Sequence, residues 1–241
     1  MRVFLAGATG VIGQRLVPLL VRRGHEVTGT TRSPAKAAGL AARGAVPVVV
    51  DVLDASALAQ ALAAARPDAV IHQLTDLPSG PGTPGYEEGQ KRNSRLRREG
   101  TRNLIDASKR AGAQRVVAQS VAFLYAPGAT PHDEADPLDT HAEGTRALTI
   151  AGVTALEDAV LNTPPFAGLV LRYGYFYGLG TWNETAPRAP SVHADAAAHA
   201  ALLALERGRP GIYNIAEDDS AVSTAKARAD LGFDPTIRLD Q

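Results

Sequence analysis

The chain has 241 residues, 45% of them apolar and 21% charged, with 25 basic and 25 acidic side chains and no cysteine. Zero net charge gives nucleic acid or an anionic membrane no bulk electrostatic hold, and the missing thiols exclude disulfides, thiolate catalysis and cysteine–zinc sites. A chain this long buries roughly 70–75% of its unfolded surface, enough for one full core, so a single domain over residues 1–241 is expected.

The first strand, Val3–Ala6, begins almost at Met1 and leaves no room for a signal peptide. No segment reaches the ~20 apolar residues of a membrane span, so the expectation is a cytoplasmic protein without a membrane partner. The strand runs into Gly7, Gly10 and Gly13 and then a helical pattern over Val11–Arg23. A dinucleotide pyrophosphate binds at a helix N-terminus, where backbone N–H groups are unpaired and the dipole is positive. Gly7 permits the tight turn, Gly10 the close approach of the phosphates, and Gly13 the packing of helix on strand. Strand, glycines and helix in that order make the signal a strong one.

The second strand, Glu26–Thr30, ends in Thr31 and Arg32, where an acidic residue would hold the adenosine ribose hydroxyls. Arginine instead suits a 2′-phosphate through paired charge-assisted bonds, favouring NADP(H) over NAD(H). The bland alternative is a solvated arginine starting the helix Pro34–Arg43. After the third strand, Val46–Val50, Asp51 and Val52 are placed to meet the adenine, and Asp54 caps the helix Ala55–Ala64. The fourth strand, Ala69–His72, leads into LPSGPGTPG (Leu77–Gly85), a loop that is either a surface connection or a border of the ligand crevice. His72 and His25 read as strand-end residues without chemistry.

The fourth helix, Glu87–Ala111, carries the basic run Lys91–Arg102. With no aromatic interleaved and zero net charge, a solvated face or subunit contact fits better than a nucleic-acid stripe. After the fifth strand, Arg115–Gln119, comes PHDEADPLDTHAEG with His132, Asp133, Glu134, Asp136, Asp139 and His141. A histidine here could serve as acid–base near neutral pH; a solvated acidic loop is the alternative, and the spacing matches no metal loop. The fifth helix is expected at Ala142–Leu161 and the sixth strand at Gly168–Arg172. Arg172 is either a ligand contact or half of a structural ion pair. Tyr173, Tyr175 and Tyr177 share one side if the chain stays extended, as crevice wall or as proton donors. His193 and Asp195 start the helix Ala194–Arg207 as anchors or substrate contacts, and the seventh strand is Gly211–Ile215. Strands separated by helices, several of them continuously apolar, imply an α/β doubly wound parallel sheet of the Rossmann type.

These segments resemble the extended short-chain dehydrogenase/reductase family, in particular its NAD-dependent epimerase/dehydratase group. GATGVIG matches the glycine motif and DVLD the adenine-side turn. Asn93 with Gly100–Ser108 resembles the fourth helix, Arg115–Gly128 the fifth strand and its loop, Leu171–Thr181 the sixth strand and nicotinamide-side turn, and Ser191–Asp219 the late helix and strand. Together these readings put Gly7, Thr9, Gly10, Val11, Ile12, Arg32, Asp51, Val52, Leu74, Gln119 and Tyr173 against the dinucleotide. The resemblance implies a homodimer through the fourth and fifth helices and a small-molecule substrate bearing a hydroxyl or carbonyl.

It also implies a Ser or Thr, with a Tyr and a Lys four residues apart on the fifth helix, as acid–base machinery. The lysines of this chain are Lys36, Lys91, Lys109 and Lys226, and none follows a tyrosine by four. Aligning Glu157 with the family's helix glutamate puts Thr149 at the tyrosine position and Val153 at the lysine position. Counting back four from Tyr125 gives Val121, with Ser120 one residue away. A positioned acid–base group is worth about 10²–10⁴-fold, so its loss calls for a substitute: Ser120, His141 and Tyr173 are the candidates. Only ten residues, TWNETAPRAP, replace the family's longer cap, and the chain closes soon after. The C-terminal substrate lobe, about 174–192 with 217–241, is thus expected to be reduced. Three readings stay open: an atypical NADP(H) oxidoreductase or epimerase, a non-redox lyase, isomerase or cyclase on the same scaffold, and a non-catalytic dinucleotide sensor.

Overall fold

Four β-branched or apolar runs enter the sheet because helices cover both of their faces. In the computed structural model, which describes residues 1–77 and 83–239, these are β1 (Arg2–Ala6), β2 (Glu26–Thr31), β3 (Val46–Val49) and β4 (Ala69–His72). They continue into β5 (Arg115–Val121), β6 (Ala167–Tyr173) and, further on, β9 (Gly211–Ile215). The seven form one parallel sheet in the order β3-β2-β1-β4-β5-β6-β9. The direction of winding reverses between β1 and β4. Ligands of open α/β sheets bind outside the carboxyl ends of the strands at such a switch point.

The helices are α1 (Val11–Arg22), α2 (Ala37–Ala42, after a 3₁₀ turn Pro34–Lys36), α3 (Ala55–Ala65), α4 (Tyr86–Arg95), α5 (Thr101–Arg110), α6 (Gly144–Leu161), α7 (Ala194–Arg207) and α8 (Ala225–Leu231). Asp54 caps α3, its carboxylate accepting the Ser56 and Ala57 N–H groups. A π-turn, Leu96–Gly100, joins α4 to α5 into one long rod. One apolar cluster packs α1, α7 and α8 against the sheet; a second packs α3, the rod and α6 against the opposite face. Ala227, Leu231 and Phe233 of the C-terminal segment belong to the first cluster.

The sequence pattern missed β7 (Tyr175–Tyr177) and β8 (Ser191–His193), which pair in parallel as a separate ribbon. Three residues carry no readable period. The predicted Leu77–Gly85 loop lies in part outside the described residues.

Candidate functional site

The turn between β1 and α1 is shaped by steric necessity at two of its three glycines. Gly7 sits at φ +91°, and a Cβ there would stand 2.7 Å from the Gln73 carbonyl oxygen. A Cβ on Gly13 would fall 2.2 Å from the Gly7 carbonyl oxygen, so α1 packs onto the turn itself. Gly10 differs. Its nearest protein neighbour is the Gly7 oxygen at 3.4 Å, and its residue is exposed. The bareness of Gly10 therefore serves what approaches from outside.

Gly10 caps α1 with backbone alone, and no acidic residue stands in the first turn. The leading N–H groups have no intrahelical acceptor and face a crevice of about 250 Å³ that Gly7, Thr9 and Gly10 line. Thr30 at the end of β2 accepts the Gly7 N–H at 3.1 Å and so fixes the turn. Gln73, at the end of β4, also lines the crevice; it is 5% exposed, and neither its Nε2 nor its Oε1 has a hydrogen-bond partner. A buried primary amide left unpaired costs about 1–3 kcal/mol unless a ligand or water satisfies it. The Gln73 amide faces the buried Tyr173 rather than the crevice; the unpaired amides of α1 and a bare Gly10 are what fit a pyrophosphate.

At the adenosine end the wall is Val50, Val52 and Leu58, apolar enough for a purine. Val52 lies where the sequence put it. Asp51 is exposed, and its Oδ1 accepts the Leu53 N–H at 2.9 Å rather than turning inward. Arg32 lines the crevice together with Lys36, a residue the sequence reading passed over although it follows Arg32 by four. Arg32 is held only loosely, by Asp76 at 3.4 Å, and its side chain is 56% exposed. Leu74 lines the crevice as expected. Ile12 is in the core and Val11 packs against it, so both can meet a ligand only through their backbone.

The other half of the site corrects the sequence reading. Ser120, Tyr173 and His141 are not brought together. Ser120 is fully buried and donates to Glu157 Oε1 at 2.6 Å. The same carboxylate takes both Nε and Nη2 of Arg172, at 2.9 and 2.7 Å. Burial works against the Arg172 charge, but the bonds to Glu157 outweigh it and hold the guanidinium protonated. Arg172 is thus half of a structural ion pair. Tyr173 is 1% exposed; its hydroxyl donates to the Ala197 carbonyl at 3.3 Å, and its ring packs on Phe176. Burial raises its phenol far above the ordinary value, with the neighbouring Gln73 amide opposing only in part. Tyr173 is thus packed in the core and does not line the crevice. Gln119 is likewise buried on β5. His141 is exposed ahead of α6, away from Ser120 and Tyr173.

The positions aligned with the family's acid–base residues are apolar or self-satisfied. Val121 and Val153 are buried in one cluster with Leu124 and Ile150, against which Phe123 packs. Thr149 Oγ1 donates back to the Thr145 carbonyl at 2.9 Å. Among the titratable groups of the 131–144 loop, His132 pairs with Asp136 at 2.9 Å and stacks on Tyr125, and Glu134 accepts the Asn214 N–H at 2.8 Å. Those residues clasp the edge of β9. Asp139 pairs with Arg146 at 2.9 Å. No cluster of three metal-ligating side chains occurs among the described residues.

His193 caps α7, its Nδ1 accepting the Asp195 N–H at 3.2 Å; burial, followed by Arg238, pushes its pKa down. Asp195 accepts from Arg15 Nε at 2.6 Å and from the Leu239 N–H at 3.1 Å, and Arg15 also donates to the Leu179 carbonyl. This knot ties α1 to the turn after β7 and to the C-terminal segment, a linkage between residues 180 positions apart that no local pattern announces. His72 is buried. It accepts the Leu74 N–H on Nδ1 and pairs through Nε2 with Thr101 at 2.9 Å, and burial, with a smaller push from Arg97, lowers its pKa to about 4.

A model of the family described as NAD(P)H-binding matches residues 7–156. A 3-diazoavenalumate denitrifying reductase from a Streptomyces species is 40% identical over 242 residues, spanning 92% of this chain and 77% of that protein. Among solved structures, UDP-glucose 4-epimerase of Thermus thermophilus in complex with NAD superposes with a TM-score of 0.80 at 19% identity, covering 99% of this chain and 95% of that one. A dTDP-glucose 4,6-dehydratase from Streptomyces venezuelae with NAD bound gives 0.79 at 20%, covering 99% and 93%.

Proposed function

The chain belongs to the NAD(P)H-binding family, and on that premise we propose that it is an extended short-chain dehydrogenase/reductase of the epimerase/dehydratase group, an NADP(H)-dependent reductase whose substrate takes up hydride without a proton from a tyrosine–lysine pair. One observation carries the reading. The crevice at the β1–α1 turn has the lining a dinucleotide needs, whereas Val121 and Val153 stand as buried apolar residues at the serine and lysine positions, and the hydroxyl of Thr149, at the tyrosine position, is turned back on its own helix. When bound, the reduced dinucleotide supplies hydride. The α1 amides hold its phosphates, and Val121, Val153 and Phe123 keep water from the reacting carbon.

Reduction of a ketone leaves an oxygen that must be protonated. Reduction at a diazonium carbon does not: a C–H bond forms, the C–N bond breaks, and N₂ departs with the bonding pair. The balance is R–N₂⁺ + NADPH → R–H + N₂ + NADP⁺. The relative named as a denitrifying reductase of a diazo compound supports this class of substrate. The test follows 4-carboxybenzenediazonium with NADPH at neutral pH, against a control without protein. We expect faster loss of NADPH absorbance, N₂ and benzoate in equal amounts. Turnover of ketones or aldehydes in the panel, with the diazonium untouched, overturns the reading.

The preference for NADP(H) rests on Arg32 and Lys36 sharing the crevice wall at the end of β2, where no carboxylate lines it. We place the substrate beneath residues 174–192 and the C-terminal segment from 217. The further readings are a cytoplasmic location and a homodimer through the α4–α5 rod and α6, which pack side by side, Ser94 within 3.1 Å of a Cβ on Gly152. Light scattering on the purified protein tests the dimer. No helix among the described residues is long and apolar enough to cross a membrane.

A further inference from the structure

Beside the apolar cluster that holds Val121 and Val153 stands a column of three side chains. Phe123, in the loop after β5, packs against the cluster. Its ring stacks on Tyr175, the first residue of β7, with centroids 3.9 Å apart and planes 9° from parallel. The Arg188 guanidinium lies over Tyr175, 4.3 Å from the ring centroid, and donates through Nη2 to the Tyr175 hydroxyl at 2.6 Å. β5 and β6 both end here, at the carboxyl edge of the sheet where ligands of this architecture sit.

Arg188 differs from the other arginines around the site. Arg15, Arg146 and Arg172 each meet a carboxylate. The Arg188 guanidinium meets none among the described residues, and its one hydrogen bond is to the phenol; the Arg188 carbonyl accepts from Ser191 Oγ. Its charge has no carboxylate partner: cation–π contact and one hydrogen bond orient the plane, and the residue is exposed. A guanidinium held flat is matched to a carboxylate through two parallel bonds. Phe123 and Arg188 cover the two faces of Tyr175, so a further ring meets the pair edge-on, an arrangement aromatic rings favour.

We propose that Phe123, Tyr175 and Arg188 form the substrate's specificity subsite, and that it takes a small aromatic acid: the ring against Phe123 and Tyr175, the carboxylate on Arg188. This deepens the reductase reading and rests on its placing the reaction beside Val121 and Val153.

Binding, not turnover, tests it. Calorimetry on the whole protein saturated with NADP⁺ compares trans-cinnamate with its neutral isostere cinnamamide, in the wild type and in Arg188→Met. The wild type is expected to bind cinnamate at least tenfold more tightly than cinnamamide. Arg188→Met should abolish that difference while leaving cinnamamide unchanged, and Phe123→Ala should weaken both. Equal affinity for acid and amide in the wild type, a preference that survives Arg188→Met, or no binding of either at millimolar concentration overturns the proposal. A separate NADP⁺ titration of the same protein isolates failure of the dinucleotide reading: absent NADP⁺ binding sinks that reading, whereas NADP⁺ binding without cinnamate selectivity sinks only the subsite.

Discussion

The two ends of the site are built on opposite principles. At the β1–β2 end polar groups are left for a ligand: the first amides of α1 and the loosely held Arg32. At the β5–β6 end most are spent on one another, with Arg172 Nη1 left over. Ser120, Glu157 and Arg172 close a buried network, and Tyr125 donates to Asn214 at 2.6 Å beside it. Unpaired groups in a crevice await a ligand; paired groups in a core hold a fold. The contrast teaches where each end directs its polar groups: toward the crevice at one, into the packing of β5, β6 and α6 at the other.

The strongest way to break that contrast is Glu157→Gln. Removing the carboxylate strands the Arg172 guanidinium in a site where its side chain is 5% exposed. Loss of one partner from a buried ion pair costs about 3–5 kcal/mol, read as a lower denaturation midpoint. NADPH affinity at a temperature where the variant stays folded should change less than twofold. If instead stability holds and dinucleotide affinity collapses, the network belongs to the binding site.

Next in size is a pH effect on the crevice side of the sheet. His72 titrates near 4 in the folded chain, against 6.5 as its ordinary value, because it is buried beside Arg97. The unfolded chain takes up a proton as pH falls through 6.5, and the folded chain does not until about 4. Stability therefore drops with falling pH inside that window, by about 1.4 kcal/mol per unit at most and about 3 kcal/mol in all. His72→Asn should flatten most of the slope in denaturant melts at pH 4.5, 5.5 and 7. His193, whose pKa is also lowered, contributes in the same direction. A slope unchanged by His72→Asn puts the proton elsewhere.

What the amino-acid order reveals follows the same division. Gly7, Gly10, Gly13, Arg32 and Val52 are legible because a backbone approach and a phosphate impose residue types at fixed spacings along one βα unit. Asp54 is legible because a cap is local. The β5–β6 end is not. Both faces of a parallel strand are buried, so alternation cannot tell whether Ser120 or Tyr173 points toward ligand or core. The partner of Ser120 lies 37 residues away on α6. The orphaned state of Gln73 is a fact about its surroundings, which a sequence does not print. Phe123, Tyr175 and Arg188 meet only because the three-residue strand β7 places Tyr175 beside the loop after β5.

Gly10→Ala sharpens the comparison from the crevice side. The protein offers a Cβ at that position ordinary room, 3.4 Å from its nearest atom, so folding should lose under about 1 kcal/mol, mostly as a poorer cap. A phosphate pressed against the same backbone has no such room. Crowding of that kind runs to about 1–3 kcal/mol, or roughly tenfold to a hundredfold in NADPH dissociation constant. A thermal melt and a fluorescence titration on the same sample separate the two. Unchanged affinity means that the pyrophosphate lies elsewhere.

The smallest effect distinguishes the two dinucleotides. Arg32→Ala removes one of the two cations at the end of β2, leaving Lys36 and exposing no buried partner. A charge-assisted bond to phosphate is worth about 1.5–3 kcal/mol when sheltered, and solvent at a side chain 56% exposed pulls it toward the lower bound. NADPH should therefore weaken about tenfold, with NADH nearly unmoved, and the loss should shrink as salt is raised. Asp76→Asn works the other way: it frees Arg32 from the carboxylate 3.4 Å distant and should tighten NADPH by a few-fold. Equal weakening of both dinucleotides by Arg32→Ala would show that the arginine holds the common adenosine and not its 2′-phosphate. Opposite shifts from the two variants, confined to NADPH, require that the phosphate and Asp76 compete for one guanidinium.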